Sequence, residues 1–245
     1  MTTDASGLGA LSEDLWIADG PIVRSLGFAY PTRMAVIRLA DGSLFVWSPV
    51  AMTDALRDAV DALGEVRHIV PPNAFHHLAL AEWKAAYPAA VLYAAPRLAA
   101  RRADLSFDRN LAGDEPRAWD GEIDQVVIGG NTLLEEVVFH HRASRTVLFC
   151  DLLQQFPEGW FGGWRALVAR LDGMVGKEPT VPRKFRLAFR DRAAARQDVK
   201  SVLAWSGERL IVAHGDVVEA DATAVIERAF RRLLRERAVE AQDRA

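Results

Sequence analysis

Short apolar runs alternate with helical patterns in the first half of the chain, and this alternation limits the fold more than any other sequence feature. The run VRHIVPP (66–72) follows the helical pattern TDALRDAVDALG (53–64), for which Thr53 is a suitable N-cap. The run AVLYAAP (90–96) likewise follows the helical pattern HHLALAEWKAAYP (76–88). Strands that alternate with helices predict a largely parallel sheet with helices packed on it.

The second half has a different organisation. Three strand patterns follow one another at IDQVVIGGN (123–131), LEEVVFHH (134–141) and RTVLFCDLL (145–153), joined by tight turns. A further strand, GERLIVAHGD (207–216), precedes a closing helix. The sequence therefore predicts an α+β fold in which two sheets pack face to face with helices outside.

Length and charge define the class of protein. The chain has 245 residues, of which 50% are hydrophobic and 26% are charged, which is ordinary for a globular protein. We expect a single domain over residues 1–245, with a flexible N-terminal segment at 1–11 and a C-terminal helix at 221–245. A net charge of −3 argues against nucleic acid as the main partner. The basic stretch RAFRRLLRERA is interpreted as the solvated face of that last helix.

Cysteine content and hydropathy indicate the compartment. Cys150 is the single cysteine, so no disulfide can form within the chain, and a reducing compartment is expected. The sequence shows no signal peptide and no run of about 20 apolar residues. We expect a cytoplasmic protein with a small-molecule ligand and without a membrane partner, and leave homo-oligomer formation open.

Imidazole and carboxylate side chains recur where predicted strands end. They are His76, His77, His140, His141, Asp151 and His214. Such groups are ligands for zinc, iron or manganese, and sites form where strand ends gather. Each residue also has a structural interpretation, such as a buried histidine or a carboxylate that caps a turn. HExxH, CxxC, GxSxG and glycine-rich phosphate motifs are absent.

The order of elements resembles the metallo-β-lactamase fold superfamily and, more closely, its DUF4336 branch. The resemblance covers residues 12–220 and depends on WSPV, VPPNAFHHL, HHRASRTVLFCDLL and VAHGD. It implies an αββα sandwich with a metal site along one edge of the sheets.

The same resemblance implies an altered metal site. Active members carry a His-x-His-x-Asp-His run, in which Asn73 and Phe75 here replace the first two histidines. His76 is taken to stand for the aspartate and His77 for the last histidine. A further histidine of the superfamily corresponds to His140 or His141, the bridging aspartate to Asp151, the last histidine to His214, and an early acidic position to Ser48. The first metal position is then lost, and a mononuclear second one is kept.

Three functions remain open at this stage. The first is a metal-dependent hydrolase of a small ester, thioester, amide or phosphoester, with one divalent ion (zinc ahead of iron or manganese) and with Asn73, Ser48 or Arg145 orienting the substrate. The second is an inactive ligand-binding or assembly module with a vestigial site and no metal. The aromatic side chains of Phe156, Trp160, Phe161 and Trp164 would then form a binding surface, unless they cover the core. An iron-dependent redox enzyme is the third.

Overall fold

The computed structural model describes residues 7–235 and contains two β-sheets. In the first sheet the strands lie side by side in chain order. They are β1 (Leu8–Ser12), β2 (Leu15–Ser25), β3 (Phe28–Arg38), β4 (Ser43–Trp47), β5 (Glu65–Val70), β6 (Val91–Ala94) and β7 (Arg109–Asn110). The pairs from β1 to β4 are antiparallel and those from β4 to β7 are parallel. The predicted parallel arrangement is therefore confirmed for β4 to β7 only.

The second sheet has four strands in the order β11-β10-β9-β8. They are β8 (Ile123–Ile128), β9 (Glu136–His141), β10 (Thr146–Gln154) and β11 (Arg209–His214). β8, β9 and β10 form the predicted antiparallel meander, whereas β11 joins β10 in parallel. This parallel pair brings the carboxyl ends of β10 and β11 to the same edge.

Seven helices lie within the described residues. They are α1 (Asp54–Asp61), α2 (Leu80–Ala86), α3 (Leu98–Arg101), α4 (Trp164–Asp172), α5 (Arg183–Ala188), α6 (Arg192–Ala204) and α7 (Ala222–Leu234). Thr53 caps α1 as predicted, because its hydroxyl accepts a hydrogen bond from the backbone N–H of Leu56. None of these helices combines the length and the apolar run that crossing a membrane requires.

The layers follow from the alternation of side chains along the second sheet. In β10, Leu148 and Cys150 pack into the cluster shared with the first sheet. Val147 and Phe149 point the other way, into a second cluster formed with α5, α6 and α7. The second sheet is thus buried on both faces, and the predicted αββα sandwich of two mixed sheets is confirmed.

The chain ends and one helix start differ from the predictions. The N-terminal segment expected to be flexible at 1–11 is wrong in part, since Leu8–Ser12 pairs with β2 as strand β1. Residues 1–6 lie outside the described part of the chain, and so does the C-terminal helix beyond residue 235. α2 begins at Leu80 rather than at residue 76, because the Asn73 side chain holds the preceding residues in a turn.

His68 is a core residue. It lies in β5 against the rings of Tyr93 and Trp119, and its Nδ1 atom is 3.3 Å from the Tyr93 hydroxyl. The side chain is 6% exposed, and burial lowers the pKa of His68 to about 4.

We predict that His68 makes the protein less stable in acid. Between about pH 6.5 and pH 4 the unfolded chain binds a proton at this residue and the folded chain does not, so stability falls as the pH falls through that window. His68→Phe should remove up to about 3 kcal/mol of the pH-dependent change in the free energy of unfolding, measured by urea denaturation across the window. Tyr93→Phe, which leaves the imidazole buried, should keep the wild-type slope. Equal slopes for wild type and His68→Phe would contradict the prediction.

Candidate metal centre

Three of the predicted ligands meet at the edge where β10 and β11 end. His76 Nε2 lies 3.3 Å from His214 Nε2 and 3.4 Å from Asp151 Oδ2. His214 Nε2 lies 3.2 Å from Asp151 Oδ1. The three side chains are at most 10% exposed. Two imidazole nitrogens and a carboxylate therefore converge on one buried point.

Hydrogen bonds on the far side of each ring identify the tautomers. The Ser48 hydroxyl donates its one proton to the Arg33 carbonyl, so at 2.8 Å it must accept from His76 Nδ1–H. His214 Nδ1 lies 2.6 Å from the Pro31 carbonyl oxygen, which can only accept. A neutral ring at either position therefore carries its proton on Nδ1 and presents a lone pair at Nε2.

The converging atoms are then all acceptors. In this neutral state two Nε2 lone pairs and a carboxylate face one another, and either a bound cation or a shared proton would stabilise that arrangement in a buried site. Ligand atoms about 2.0–2.1 Å from one tetrahedral zinc ion lie about 3.3–3.4 Å apart, which matches the observed separations. The donor set and its spacing fit a divalent metal ion.

Glu136 holds the backbone that carries Asp151. β10 pairs with β9 only as far as Leu148, and beyond it the backbone N–H groups of Cys150, Asp151 and Leu152 donate to the Glu136 carboxylate at 2.8, 2.7 and 3.0 Å. Glu136 is fully buried at the start of β9. One side chain thus replaces the missing strand partner.

Asn73 connects this carboxylate to the candidate ligand. Its amide nitrogen donates to Asp151 Oδ2 at 2.9 Å and to Glu136 Oε2 at 3.1 Å. Its oxygen accepts from the backbone N–H groups of Phe75 and His76, which positions the His76 loop. Asn73 is completely buried and its amide is fully used, so its predicted role in substrate binding is wrong. It orients both Asp151 and His76.

The environment shifts the pKa values of these groups. Burial lowers the pKa of His76 to about 4 and, together with the charge of Asp151, raises the pKa of Glu136 to about 7. Burial acts to raise the pKa of Asp151, but His76, His214 and Asn73 outweigh it and hold that pKa well below its usual range. Asp151 is therefore an ionised carboxylate at neutral pH.

Cys150 lies beside the cluster. Its Sγ atom lies 3.9 Å from Asp151 Oδ2, and ligand atoms of His76, Cys150 and Asp151 all lie within 4.8 Å of one another. Burial raises the pKa of the Cys150 thiol well above its usual range, so the sulfur is protonated unless a metal ion displaces the proton.

His77 is turned away from the cluster. Its Nε2 atom accepts from Arg101 Nε at 3.1 Å, and its carbonyl accepts from Arg102 at 2.6 Å. Two guanidinium groups beside the ring disfavour a bound cation, so the structure does not support His77 as a ligand. The assignment of the His-x-His-x-Asp-His run was also out of register, because six residues counted from Asn73 end at Leu78 and place His77 fifth.

His140 and His141 lie at the other end of the sheet. His140 pairs with Val147, four residues before Asp151, which is about 13 Å along the strand. His140 Nδ1 contacts Asp124, and His141 Nδ1 contacts the Ser144 hydroxyl. The prediction that strand ends gather is wrong for this pair, because β9 and β10 are antiparallel and their carboxyl ends lie at opposite edges.

Of the two remaining predicted substrate-binding residues, Ser48 lies at the site and Arg145 lies away from it. Ser48 lies at the site, where it orients His76, with its backbone in the left-handed region (φ 51°). Arg145 lies just before β10, at the end opposite to Asp151, and pairs with Glu208 at 2.6 Å. Arg145 is therefore not in position to bind a substrate at this site.

Arg33 joins the two sheets beside the site. It lies in β3, and its Nη1 atom donates to the carbonyl oxygens of Val212 and Gly215 on either side of His214. Its own carbonyl accepts from Ser48, the residue that orients His76. The two imidazoles are thus linked through one arginine.

Sequence reasoning missed Glu136 and the position of Cys150. A glutamate inside the apolar run EVVFHH was a usable signal, because a charged residue in a buried strand needs partners. The position of Cys150 depends on the path of β10 beyond Leu148, and no local pattern encodes it.

The amino-acid sequence matches one family of known proteins. The sequence matches the family described as Domain of unknown function (DUF4336) over residues 21–162, which is more than half of the chain. A search of curated proteins found no match.

Solved structures with the same fold include metallo-β-lactamases. The enzyme FIM-1 from Pseudomonas aeruginosa, in a mono-zinc form, has a TM-score of 0.60 at 13% identity, with 93% of this chain and 96% of that chain covered. A metallo-β-lactamase from Pontibacter korlensis has a TM-score of 0.59 at 12% identity, with 94% and 99% covered. DIM-1, exposed to ceftazidime, has a TM-score of 0.61 at 13% identity, with 92% and 96% covered. At these identities the likeness establishes the fold.

We predict that Glu136 is essential for stability. Glu136→Ala leaves three buried backbone N–H groups and the Asn73 amide without their acceptor, and each unsatisfied donor costs about 1–3 kcal/mol. The free energy of unfolding in urea should fall by at least about 3 kcal/mol. Glu136→Gln, which keeps one side-chain oxygen, should lose less.

The neighbouring glutamate provides the control. Glu135 pairs with Arg97 at the surface, so Glu135→Ala should cost less than about 1 kcal/mol. Equal losses for the two alanine variants would show that Glu136 does not replace strand pairing.

Proposed function

Because the chain belongs to the DUF4336 family and has the metallo-β-lactamase fold, we propose that it is a metal-dependent hydrolase with one divalent ion held by His76, Asp151 and His214. The observation that carries the proposal is the convergence of two imidazole nitrogens and a carboxylate within 3.4 Å. Such a buried set of acceptors fits a cation. Two imidazoles and one carboxylate suit zinc, and also iron, so we place zinc ahead of iron and manganese.

A catalytic ion in this arrangement would act as a Lewis acid and lower the pKa of a water molecule to about 7. The chain's own residues hold the ligands in place. Ser48 and the Pro31 carbonyl orient the two rings, and Asn73 orients the carboxylate. Because these partners fix the ligands before an ion arrives, little reorganisation would accompany binding.

The candidate centre opens onto a cavity in which a substrate would bind. His76, Asp151 and His214 line a cavity of about 1140 Å³. A small ester, thioester, amide or phosphoester placed there would lie against the ligand cluster. Such a ligand agrees with the net charge of −3, which disfavours nucleic acid, and the free, buried Cys150 agrees with a reducing compartment such as the cytoplasm.

The alternative is a non-catalytic module that binds a ligand in the same cavity. Its support is that Asn73 and Phe75 replace two histidines of the superfamily run and that the Asn73 amide is already hydrogen-bonded. A shared proton would then take the place of the metal ion between His76, His214 and Asp151. Metal content separates the two functions.

We predict about one zinc or iron ion per chain in protein purified without a histidine tag, measured by elemental mass spectrometry. His76→Ala and His214→Ala should each reduce the metal content at least tenfold, because each removes one of three ligands. His77→Ala and His140→Ala are matched controls, since these histidines lie outside the cluster, and should keep the wild-type content. If the wild type stays metal-free even after incubation with zinc, iron and manganese, the hydrolase proposal is wrong and the non-catalytic binding module is favoured.

Removal of the metal should also lower thermal stability. A ligand that binds only the folded state stabilises it, so chelation should lower the Tm of the wild type by several degrees and leave that of His214→Ala unchanged. The metal-loaded wild type should hydrolyse at least one member of a panel of esters, thioesters and phosphoesters, and His214→Ala should not. A metal-loaded protein inactive on the whole panel would contradict the hydrolase and favour the module.

A further inference from the structure

The cavity beside the candidate centre is unusually apolar at its mouth. Six large hydrophobic side chains that line it are 39% to 94% exposed. They are Leu26, Phe75, Leu78, Leu133, Val168 and Leu171. Exposed hydrophobic side chains that gather around one cleft mark a binding site, whereas single ones scattered over a surface do not. At about 1140 Å³, the cavity exceeds the 300–1,000 Å³ that is typical for drug-sized ligands.

Helix α4 contributes one wall of this cavity. Trp164, Leu167, Val168 and Leu171 recur at the spacing of one helical face, and all four are more than 40% exposed. Ala169 is the one buried residue of the helix. Phe156 and Phe161, predicted as part of a binding surface or a cover, are buried beneath this segment and so are part of the core. Trp164 packs edge-on against Phe28 at 5.7 Å, whereas Leu167, Val168 and Leu171 remain largely exposed.

Basic side chains outnumber carboxylates along the same cavity, which Glu82, Asp151 and Asp172 also line. Arg24, Arg101 and Arg183 line the cavity, and none of them lies within ion-pair distance of a carboxylate in residues 7–235. Lys184, by contrast, pairs with Asp172 at 3.4 Å. Arg101 also stacks over the Phe75 ring at 5.4 Å, so a guanidinium and an exposed aromatic side chain lie side by side. This combination suits a ligand with an apolar body and an anionic group.

We propose that the substrate is an ester or thioester of an apolar acyl chain that carries an anionic group. The acyl chain lies along α4, the anionic group meets the arginines, and the acyl carbonyl reaches His76, Asp151 and His214. This inference rests on the proposed hydrolase. In the reaction, the bond from the acyl carbon to oxygen or sulfur breaks, water supplies the new oxygen, and a proton passes to the leaving group. The second proton of the water is released to solvent, and the products are a carboxylate and an alcohol or thiol, without a change of oxidation state.

The test uses dodecanoate, which combines an apolar chain with one anionic group and needs no catalysis. Titration calorimetry on the whole protein should show saturable binding of dodecanoate, at least tenfold tighter than that of butyrate, which lacks the long chain. Dodecanol, which lacks the charge, should bind at least fivefold more weakly than dodecanoate. In metal-free protein, where the carboxylate has no ion to bind, equal affinity for dodecanoate and dodecanol would overturn the role of the arginines.

Helix α4 offers a matched pair of variants. Leu171 lines the cavity and Leu167 does not, although both are 62% exposed and lie one turn apart. Leu171→Asp should weaken dodecanoate binding at least tenfold, whereas Leu167→Asp should leave it within twofold. Circular dichroism and the Tm of both variants establish that they fold. Equal weakening, or none, would overturn the proposed path of the acyl chain.

Two further outcomes distinguish a failure of the acyl-chain site from a failure of the proposed metal-dependent hydrolase. If His214→Ala binds no metal but still binds dodecanoate in a Leu171-dependent manner, the acyl site holds whether or not the metal proposal does. If dodecanoate does not bind and the protein instead sediments with anionic phospholipid vesicles in a manner that depends equally on Leu167 and Leu171, the apolar face is a membrane-contacting surface and the acyl site is wrong.

Discussion

The contact between the Glu136 carboxylate and the backbone of β10 is the interaction on which the candidate centre depends. A strand that leaves its neighbour exposes backbone N–H groups, and in a buried sheet those groups must find another acceptor. One glutamate at the start of β9 accepts three of them, and so β10 can diverge without losing its hydrogen bonds. This divergence places Asp151 at the edge where the second sheet meets His76 of the first.

The candidate ligands come from distant parts of the sequence because the site lies between the two sheets. His76 follows β5 of the first sheet, whereas Asp151 and His214 come from the second. Ser48 and Arg33 couple the two sides through a chain of hydrogen bonds that ends on the carbonyls around His214. A single small displacement of one sheet would therefore move one imidazole relative to the other.

Much of the fold and part of the site could be predicted from the sequence. Apolar periodicity is local, and it predicted most strands and the layers. The polar side chains at predicted strand ends included His76, Asp151 and His214. Strand direction is not local: His140 and His141 end a strand as His214 does, yet the antiparallel pairing of β9 puts them at the far edge. Side-chain direction in a turn is not local either, and it separated His76 from its neighbour His77.

The placement of the ligands in both sheets has a consequence for how the protein matures. His76 and His214 are 138 positions apart, and Asp151 lies between them, so a nascent chain that has completed only its first sheet holds one ligand. Arg33 likewise has no carbonyls to bind until β11 is made. An ion held by all three side chains could therefore bind only after both sheets have formed.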